Sequence, residues 1–295
     1  MATKAKFIFF GSAPLSLSFL NELKEFGILP SKIVTLAPAP FGRGRKLKAN
    51  PAESFAVENN IPFIHWQNSK TTIDAIGSEN YDFALVFAFG KILKKDLLET
   101  PNIKCGFINL HPSLLPKLRG PSPIRSSLLL NQKEAVGITY IKMDDKMDHG
   151  PILLQEKYEP SVWPLPGSEL DLQLIKQAAR LFVNHLDELT NCKVEAKEQK
   201  HNDASYTKFF TKDVCQINYQ SINEHGYLQG KDQFIACACD QNPGPYFFAQ
   251  KNGKNIRIKI SKLNAPENGK VQILKVIPEG KKEMSWESFT QFIEN

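Results

Sequence analysis

The sequence lacks the features of a membrane protein or a disulfide-rich secreted protein. No apolar run approaches the length of a membrane span, and because the chain enters a predicted strand at Lys6 we expect no secretory leader. The five cysteines are scattered and odd in number, which predicts free thiols. We therefore expect a cytoplasmic protein whose cysteines are reduced.

Common signatures of nucleotide and metal binding are also missing. The turn after the first predicted strand has one glycine, Gly11, so neither phosphate-binding fingerprint is present. No zinc-type spacing of cysteine and histidine occurs. His111, Asp148 and His149 could in principle form a set of two histidines and one carboxylate, but adjacent residues rarely chelate one ion together. We expect no metal site.

What is present through residue 189 is an alternation of short apolar strands and amphipathic helices. Strands are predicted at 6–10, 32–36, 61–64, 83–89, 106–110, 136–143 and 152–158. Helices are predicted at 16–26, 51–59, 72–77, 94–99, 124–130 and 170–189, the last with Ser168 as its N-cap. The continuous apolar run at 83–89 is typical of a central parallel strand. This pattern predicts an α/β fold with a doubly wound, mostly parallel sheet over residues 1–189.

The remaining sequence has a different character. Residues 190–205 are polar and charged, which predicts an interdomain linker. Residues 206–295 contain short predicted strands at 234–239, 246–250, 256–260 and 271–276, with turn signals such as Asn252-Gly253 between them. We expect a second, smaller C-terminal domain that forms a β-barrel of the oligonucleotide-binding type.

One short segment carries most of the positive charge. The formal net charge is +6, and five basic residues with no acidic ones lie between positions 31 and 50: Lys32, Arg43, Arg45, Lys46 and Lys48. Within it, residues 37–48 are too rich in Pro and Gly for regular structure and too basic to be buried. A solvated connection is the simplest interpretation, and a flexible arm that orders on a polyanion is the functional one.

Two polar residues end the strand predicted at 106–110. Asn109 and His111 are two positions apart, so their side chains project to the same side of the chain. Open parallel sheets bind ligands at the carboxyl ends of their strands, where this pair would lie. Asp148, in the acidic segment 144–150, could add a carboxylate if that loop folds over His111. Otherwise Asp148 is an ordinary turn residue.

These residues resemble the signature of the folate-dependent formyltransferases. The resemblance is carried by Asn109-Leu-His111, Ser113-Leu-Leu-Pro116, Arg119-Gly120, Pro123-Ile124 and Asp148-His-Gly150. Further similarity to the members that act on methionyl-tRNA lies in Gly42-Arg-Gly-Arg-Lys-Leu47, Tyr206-Thr-Lys208, Asn242-Pro-Gly-Pro245 and Gly280-Lys-Lys-Glu-Met284. The first of these is similar to their tRNA-contacting loop, and the other three to their C-terminal barrel.

The resemblance implies a monomeric enzyme of translation initiation that transfers a formyl group from 10-formyltetrahydrofolate to the α-amino group of methionine on initiator tRNA. The fold would be of the formyltransferase type, with a catalytic domain at 1–189, a linker at 190–205 and a tRNA-binding barrel at 206–295. The implied catalytic residues are Asn109, His111 and Asp148. The implied folate-binding residues are Phe89, Gly90, Ile92, Leu93, Ser113, Leu114, Leu115, Pro116, Asp144 and Met147. The implied tRNA contacts are Arg43, Arg45, Lys46, Lys48, Lys281 and Lys282, and no metal is implied.

Two alternatives stay open from the sequence. The acceptor could be a small amine such as an amino sugar or glycinamide ribonucleotide, which Pro112 favours because proline at that position is more usual in those formyltransferases. The basic segment and the second domain favour tRNA. The second alternative is an RNA-binding protein on an inactive formyltransferase scaffold. Steep salt dependence would indicate a polyanionic acceptor, and a single folate-dependent turnover would exclude the inactive scaffold.

Overall fold

The structure is a computed structural model that describes residues 5–41, 46–241, 243–264 and 269–294. The chain divides into two compact units. The first comprises Met1–Arg119, Gly137–Lys157 and Gln173–Ser205, and the second comprises Gly120–Val136, Tyr158–Leu172 and Tyr206–Asn295. The segment predicted as a linker, 190–205, therefore belongs to the first unit.

A seven-stranded sheet forms the centre of the first unit. The strands of this unit are β1 (Phe7–Phe10), β2 (Lys32–Thr35), β3 (Ala39–Phe41), β4 (Lys46–Lys48), β5 (Phe63–His65), β6 (Phe83–Val86), β7 (Phe107–His111), β8 (Gly137–Lys142) and β9 (Ile152–Lys157). The order in the large sheet is β5-β2-β1-β6-β7-β8-β9. The first five are mutually parallel, whereas the pairings of β7 with β8 and of β8 with β9 are antiparallel. This confirms the predicted mostly parallel sheet.

The helices up to residue 190 follow the predicted order with shifted ends. They are α1 (Pro14–Glu25), α2 (Pro51–Glu58), α3 (Ser69–Ile76), α4 (Lys95–Leu98), α5 (Pro123–Leu129), α6 (Gly167–Asn184) and α7 (Leu186–Thr190). The helix predicted at 170–189 is thus two helices interrupted at His185. Ser168 is not an N-cap, because α6 already begins at Gly167 and the Ser168 amide donates to the carboxylate of Asp240 at 3.0 Å.

Aromatic side chains fill both faces of the sheet. All four residues of β1 are fully buried, and successive side chains face opposite sides of the sheet. On one side Phe7 stacks on Phe83 with ring centroids 5.2 Å apart, and both rings contact Phe182 of α6. On the other side Phe10 contacts Phe89 at 5.5 Å. Each buried aromatic side chain contributes roughly 1.5–3 kcal/mol by leaving water.

The order of the strands places a topological switch point between β1 and β6, at the carboxyl edge of the sheet. The chain turns to opposite sides after β1 and after β6, although these strands are neighbours. The two following turns are joined, since the Ser12 and Ala13 amides donate to the carbonyl of Ala88 at 3.3 and 3.2 Å. Ligands of open α/β sheets bind outside the carboxyl ends of strands at such a point. β7, which carries Asn109 and His111, ends at this edge.

The basic segment contains regular structure that its composition did not predict. β3 and β4 pair antiparallel, with Ala39 opposite Lys48 and Phe41 opposite Lys46. Pairing satisfies the backbone donors and acceptors by which the two arms face each other. Residues 42–45 between them lie outside the described part of the chain. The prediction of an irregular segment was therefore wrong for the two flanking arms.

The second unit contains a four-stranded antiparallel sheet. Its strands are β10 (Tyr246–Lys251), β11 (Lys254–Asn264), β12 (Gln272–Pro278) and β13 (Met284–Ser285), with helices α8 (Asp232–Ala238) and α9 (Trp286–Glu294). The predicted strand at 234–239 was wrong, because that run lies mostly in α8. A short apolar run fits either structure by periodicity alone. The predicted Asn252-Gly253 turn is confirmed, with φ of +49° and +72° and Lys251 paired to Lys254.

Two cysteines depart from the prediction of free thiols. Cys105 and Cys192 form a disulfide with Cα atoms 5.4 Å apart. The fold brings them together because the end of α7 lies beside the chain entering β7, where Lys104 donates to the carbonyl of Thr190 at 3.3 Å. A separation of 87 residues hides this proximity in the sequence. Cys215, Cys237 and Cys239 are free and buried.

Candidate active site

Asn109 and His111 lie at the carboxyl end of β7, between β6 and β8. Asn109 pairs with Val86 of β6, and His111 pairs with Thr139 of β8. The His111 ring is buried, with 4% of its surface exposed, whereas Asn109 is half-buried. Neighbouring strands on both sides therefore fix the backbone of this pair.

The loop after β8 brings Asp148 onto the same two side chains. Asn109 Nδ2 donates to Asp148 Oδ1 at 3.1 Å, and His111 Nδ1 lies 3.5 Å from Asp148 Oδ2. The carboxylate is largely buried, with 11% of its side chain exposed. The three predicted catalytic residues thus form one contiguous cluster, with the carboxylate in contact with both partners.

The other ring nitrogen of His111 is held by the backbone. His111 Nε2 lies 2.9 Å from the carbonyl oxygen of Leu118. A carbonyl can only accept, so Nε2 carries a hydrogen and donates it. In a neutral ring Nδ1 would then be the unprotonated nitrogen, and it faces the Asp148 carboxylate. Because a carboxylate also only accepts, Nδ1 can donate to Asp148 only when the ring carries a second hydrogen.

The position of Asp148 depends on an unusual loop backbone. Asp148 has φ of +49°, a left-handed conformation that aspartate tolerates better than most residues. Two residues later, a Cβ on Gly150 would lie 1.8 Å from the carbonyl oxygen of Lys142. Only glycine permits that approach. The Asp-His-Gly sequence is therefore a backbone requirement as well as a source of the carboxylate.

The predicted folate residues 113–116 form a firmly held loop. Ser113 is fully buried, and its hydroxyl donates to the carbonyl of Lys117 at 2.7 Å, so it is engaged within the protein. The hydroxyl of Thr139 donates to the Ser113 carbonyl at 2.6 Å, and Gln155 donates to the Leu115 carbonyl at 2.9 Å. The Leu115 side chain is buried, and those of Leu114 and Pro116 are half-buried.

The remaining predicted folate residues lie on the loops after β6 and β8. Phe89 and Leu93 are buried in the core, so these two can offer a ligand mainly their backbone. Ile92 and Met147 present exposed apolar side chains, with 85% and 59% of their surface accessible. Gly90 has φ of +75° and open space where a side chain would be. This backbone is therefore open to approach by a flat ring.

Asp144 and the two histidines near it form a polar group beside the cluster. Asp144 Oδ2 lies 2.6 Å from Nδ1 of His149. The His149 ring stacks on that of His201, with centroids 4.0 Å apart. Among the described residues, no three His, Cys, Asp or Glu side chains are grouped so that they could hold a metal ion.

Three supporting residues were missed or left without a role by sequence reasoning. Buried Gln199 contacts both Arg119 and the Asp148 loop, and Ser205 Oγ accepts from the Leu118 amide at 2.9 Å. Gln199 and Ser205 belong to the segment predicted as a linker. Polar composition predicted an interdomain linker there, and no local pattern distinguishes a buried glutamine from a solvated one.

The predicted tRNA contacts are only partly visible. Arg43 and Arg45 lie outside the described residues, and the backbone of Lys46 and Lys48 forms β4. Lys281 and Lys282 are exposed between β12 and β13.

A second basic surface lies on the outer face of the sheet in the second unit. Tyr246 is opposite Lys259 and Phe248 is opposite Arg257, so these four side chains share one face. The Arg257 guanidinium lies 3.8 Å from the Tyr246 ring centroid, and Phe248 is 38% exposed. Phe248 also lines a cleft of about 680 Å³ whose walls are rich in amide side chains. Period-two spacing of aromatics and cations was the signal that could have identified this face.

The sequence and the fold are both similar to known formyltransferases. Residues 5–163 match the formyl transferase family. The chain is 32% identical over 263 residues to the methionyl-tRNA formyltransferase of Thermotoga maritima, covering 88% of this chain and 79% of the relative. A 4-N formyltransferase structure from Francisella tularensis superposes with a TM-score of 0.61 at 20% identity, covering 86% of this chain and 96% of the other. HypX from Aquifex aeolicus, solved in complex with tetrahydrofolic acid, has a TM-score of 0.62 at 10% identity and covers 97% of this chain and 47% of the other.

No helix among the described residues is long and apolar enough to cross a membrane. The family match covers more than half of the chain and includes the strand and the loop that carry Asn109, His111 and Asp148. The chain therefore belongs to the formyl transferase family, and within it to the methionyl-tRNA formyltransferases.

Proposed function

We propose that this enzyme transfers a formyl group from 10-formyltetrahydrofolate to the α-amino group of methionine carried by initiator tRNA. The observation that carries the proposal is the contact of the Asp148 carboxylate with both Asn109 and His111 at the carboxyl end of β7. The names of the relatives support the acceptor, and the fold supports formyl transfer as the reaction class.

Asn109 is suited to stabilise the oxyanion that forms during acyl transfer. A primary amide has two N–H groups, and only one of them is needed for the contact with Asp148. The second can donate to a developing negative oxygen without any change of charge on Asn109. Preorganised donors of this kind are usually the largest single contribution to catalysis of acyl transfer.

His111 and Asp148 are suited to manage the proton of the attacking amine. An α-amino group titrates near pH 8, so much of it is already nucleophilic at neutral pH. Attack on the formyl carbon makes the amine positive. Asp148 is placed to take that proton, directly or through water, and when the His111 ring is charged its Nδ1 donates to the carboxylate and holds it in place. As the bond between the formyl carbon and the donor nitrogen breaks, Asp148 gives this proton to the donor nitrogen. The amine has then lost one proton and the donor has gained one.

The residues after β6 and β8 fit a flat, partly apolar ring. Ile92 and Met147 offer exposed apolar surface, and the open backbone at Gly90 offers polar groups to a ring edge. The loops after β6 and β8 are anchored in the same part of the core, because Phe89 and Met143 pack in one buried cluster. When bound there, 10-formyltetrahydrofolate would supply the electrophilic formyl carbon.

A polyanionic acceptor is supported by the outer sheet face of the second unit. Arg257 and Lys259 alternate with buried residues along β11, and the aromatic rings of Tyr246 and Phe248 lie opposite them. Proteins that bind single-stranded nucleic acid combine cations with aromatic stacking surfaces in this way. Lys281 and Lys282 extend the exposed positive charge of this unit.

Formyl transfer measured side by side with charged initiator tRNA, charged elongator tRNA, free methionine and an amino sugar tests the proposal. We expect turnover with initiator tRNA to be the fastest, with an apparent affinity that falls steeply as salt increases. Transfer to an amino sugar with no salt dependence would instead establish the small-amine alternative. No transfer to any amine would refute the proposed reaction.

A further inference from the structure

Gln199 uses the full hydrogen-bonding capacity of its amide inside the first unit. Its Nε2 donates to the carbonyl oxygens of Asp148 and Gly150 at 3.0 and 2.7 Å. Its Oε1 accepts from Nε and Nη2 of Arg119 at 3.2 and 2.6 Å. A primary amide can donate two hydrogen bonds and has two acceptor lone pairs, so no capacity is left over.

Both donors of Gln199 act on the loop that carries the proposed catalytic carboxylate. The two carbonyls flank His149, so the amide spans the turn in which Asp148 adopts its left-handed conformation. The segment around Gln199 is itself anchored, because the amide and carbonyl of Lys197 exchange hydrogen bonds of 2.8 and 2.7 Å with Ile152 on β9. Gln199 therefore holds the Asp148 loop from a segment that is itself hydrogen-bonded to β9.

Arg119 holds the oxygen side of the Gln199 amide. It is 1% exposed, and its Nη2 also contacts Nδ1 of His201 at 2.9 Å. The Arg119 backbone amide donates to the carbonyl of Ser205 at 2.8 Å, next to the Leu118 carbonyl that holds His111. Buried Arg119 thus links Gln199, which holds the Asp148 loop, to the backbone that accepts the hydrogen bond of His111.

We propose that Gln199 is a positioning residue for formyl transfer: its amide fixes the Asp148 loop so that the carboxylate meets both Asn109 and His111. The inference rests on the proposed function, because it assigns Gln199 a role through Asp148. The alternative is a purely structural role, in which Gln199 only satisfies buried polar groups and contributes to stability. The two accounts differ in whether the effect on turnover requires Asp148.

Gln199→Glu separates the two sides of the amide. The carboxylate has the same size and still accepts from Arg119, with a charge-assisted bond that helps to retain the fold. However, it replaces both donors with an acceptor that faces the carbonyls of Asp148 and Gly150. The loop should therefore be released while the protein stays folded.

We expect kcat of Gln199→Glu to fall by about tenfold to a hundredfold, because small displacements of a reacting group have costs of this size. The KM for the formyl donor should stay near the wild-type value, and the midpoint of thermal unfolding should remain close to that of the wild type. In an Asp148→Asn background the same substitution should cause no further loss of kcat. Equal losses of kcat in both backgrounds would overturn the proposal.

Two further variants complete the test. Gln177→Glu is the matched control. Gln177 lies on the helix α6, and its Nε2 also donates to a backbone carbonyl, that of Lys157, at 2.9 Å. The turnover of this variant should be unchanged. If Gln199→Glu does not fold, Gln199→Asn keeps the amide but is one methylene too short to span Arg119 and the loop, and it should lower kcat in the same Asp148-dependent way.

The outcomes distinguish this inference from the proposed reaction. An active wild-type enzyme with unchanged kcat in a folded Gln199 variant would refute the positioning role alone. A wild-type enzyme that formylates no amine would refute the reaction first.

Discussion

His111 and Leu118 are joined by a hydrogen bond from the ring Nε2 to the backbone carbonyl, with a distance of 2.9 Å. Leu118 has φ of +59°, an uncommon conformation for leucine. The Leu118 amide donates to Ser205 Oγ at 2.9 Å, so both sides of this residue are held. The ring orientation of His111 is therefore determined by the backbone, and Nδ1 is the nitrogen turned toward Asp148.

This bond predicts the tautomer of His111. We expect Nε2 to carry a hydrogen in both the neutral and the charged ring, whereas Nδ1 gains and loses its proton. Nitrogen-15 NMR of the histidine rings across a pH titration measures this directly. A neutral ring with its hydrogen on Nδ1 would contradict the assignment.

Asn109→Ala should remove an oxyanion donor without unfolding the protein. We expect turnover to fall by about a hundredfold to a thousandfold, since losing one such donor typically has this effect. The half-buried position of Asn109 predicts little change in thermal unfolding. Asn191→Ala is the matched control, because Asn191 is exposed and its amide donates within a helix terminus at 2.8 Å. Near-normal turnover in both Asn109→Ala and His111→Ala would exclude the catalytic assignment.

The cysteines predict a simple pattern of thiol reactivity. Burial raises the pKa of the Cys237 and Cys239 thiols well above their ordinary value, and burial likewise raises the pKa of Cys215. A raised pKa leaves less reactive thiolate at pH 8. We expect slow reaction with Ellman's reagent in the native protein, three thiols after denaturation and five after denaturation with prior reduction. Five thiols without reduction would show that Cys105 and Cys192 are not bonded.

The outer sheet face should contribute separable electrostatic and stacking terms to tRNA affinity. Arg257→Gln and Lys259→Gln should each reduce the slope of log affinity against log salt by about one, because each removes one contact with a phosphate. Phe248→Ala should weaken binding by about 1–3 kcal/mol with the slope unchanged. Lys176→Gln, an exposed cation on α6, is the control. Unchanged slopes in both cation variants would exclude this face as the RNA contact.

Phe182→Ala should be strongly destabilising. Its ring contacts Phe7, Phe83 and Tyr140 with centroids 5.9 to 6.0 Å apart and is fully buried. We expect a loss of about 3–5 kcal/mol in the free energy of unfolding, which chemical denaturation measures. Phe26→Ala, at a ring that is 47% exposed, should change it by no more than about 0.5 kcal/mol. Equal effects of the two variants would contradict the packing described above.

The sequence by itself determined the α/β alternation, the mostly parallel sheet and the pairing of Asn109 with His111 on one strand end. Period-two and helical spacing follow from backbone geometry, which is local, so the seven strands of the large sheet were predictable to within a few residues. The Asn252-Gly253 hairpin was predictable for the same reason, because its φ angles require those residues.

Tertiary structure alone decided which distant groups meet. The contact of Asp148 with Asn109 joins residues 39 positions apart, and the disulfide joins residues 87 apart. Buried Gln199 lies in a segment whose polar composition predicted an interdomain linker. Local sequence encodes the conformation available to each segment, but long-range packing decides which polar groups are removed from water and must then satisfy one another.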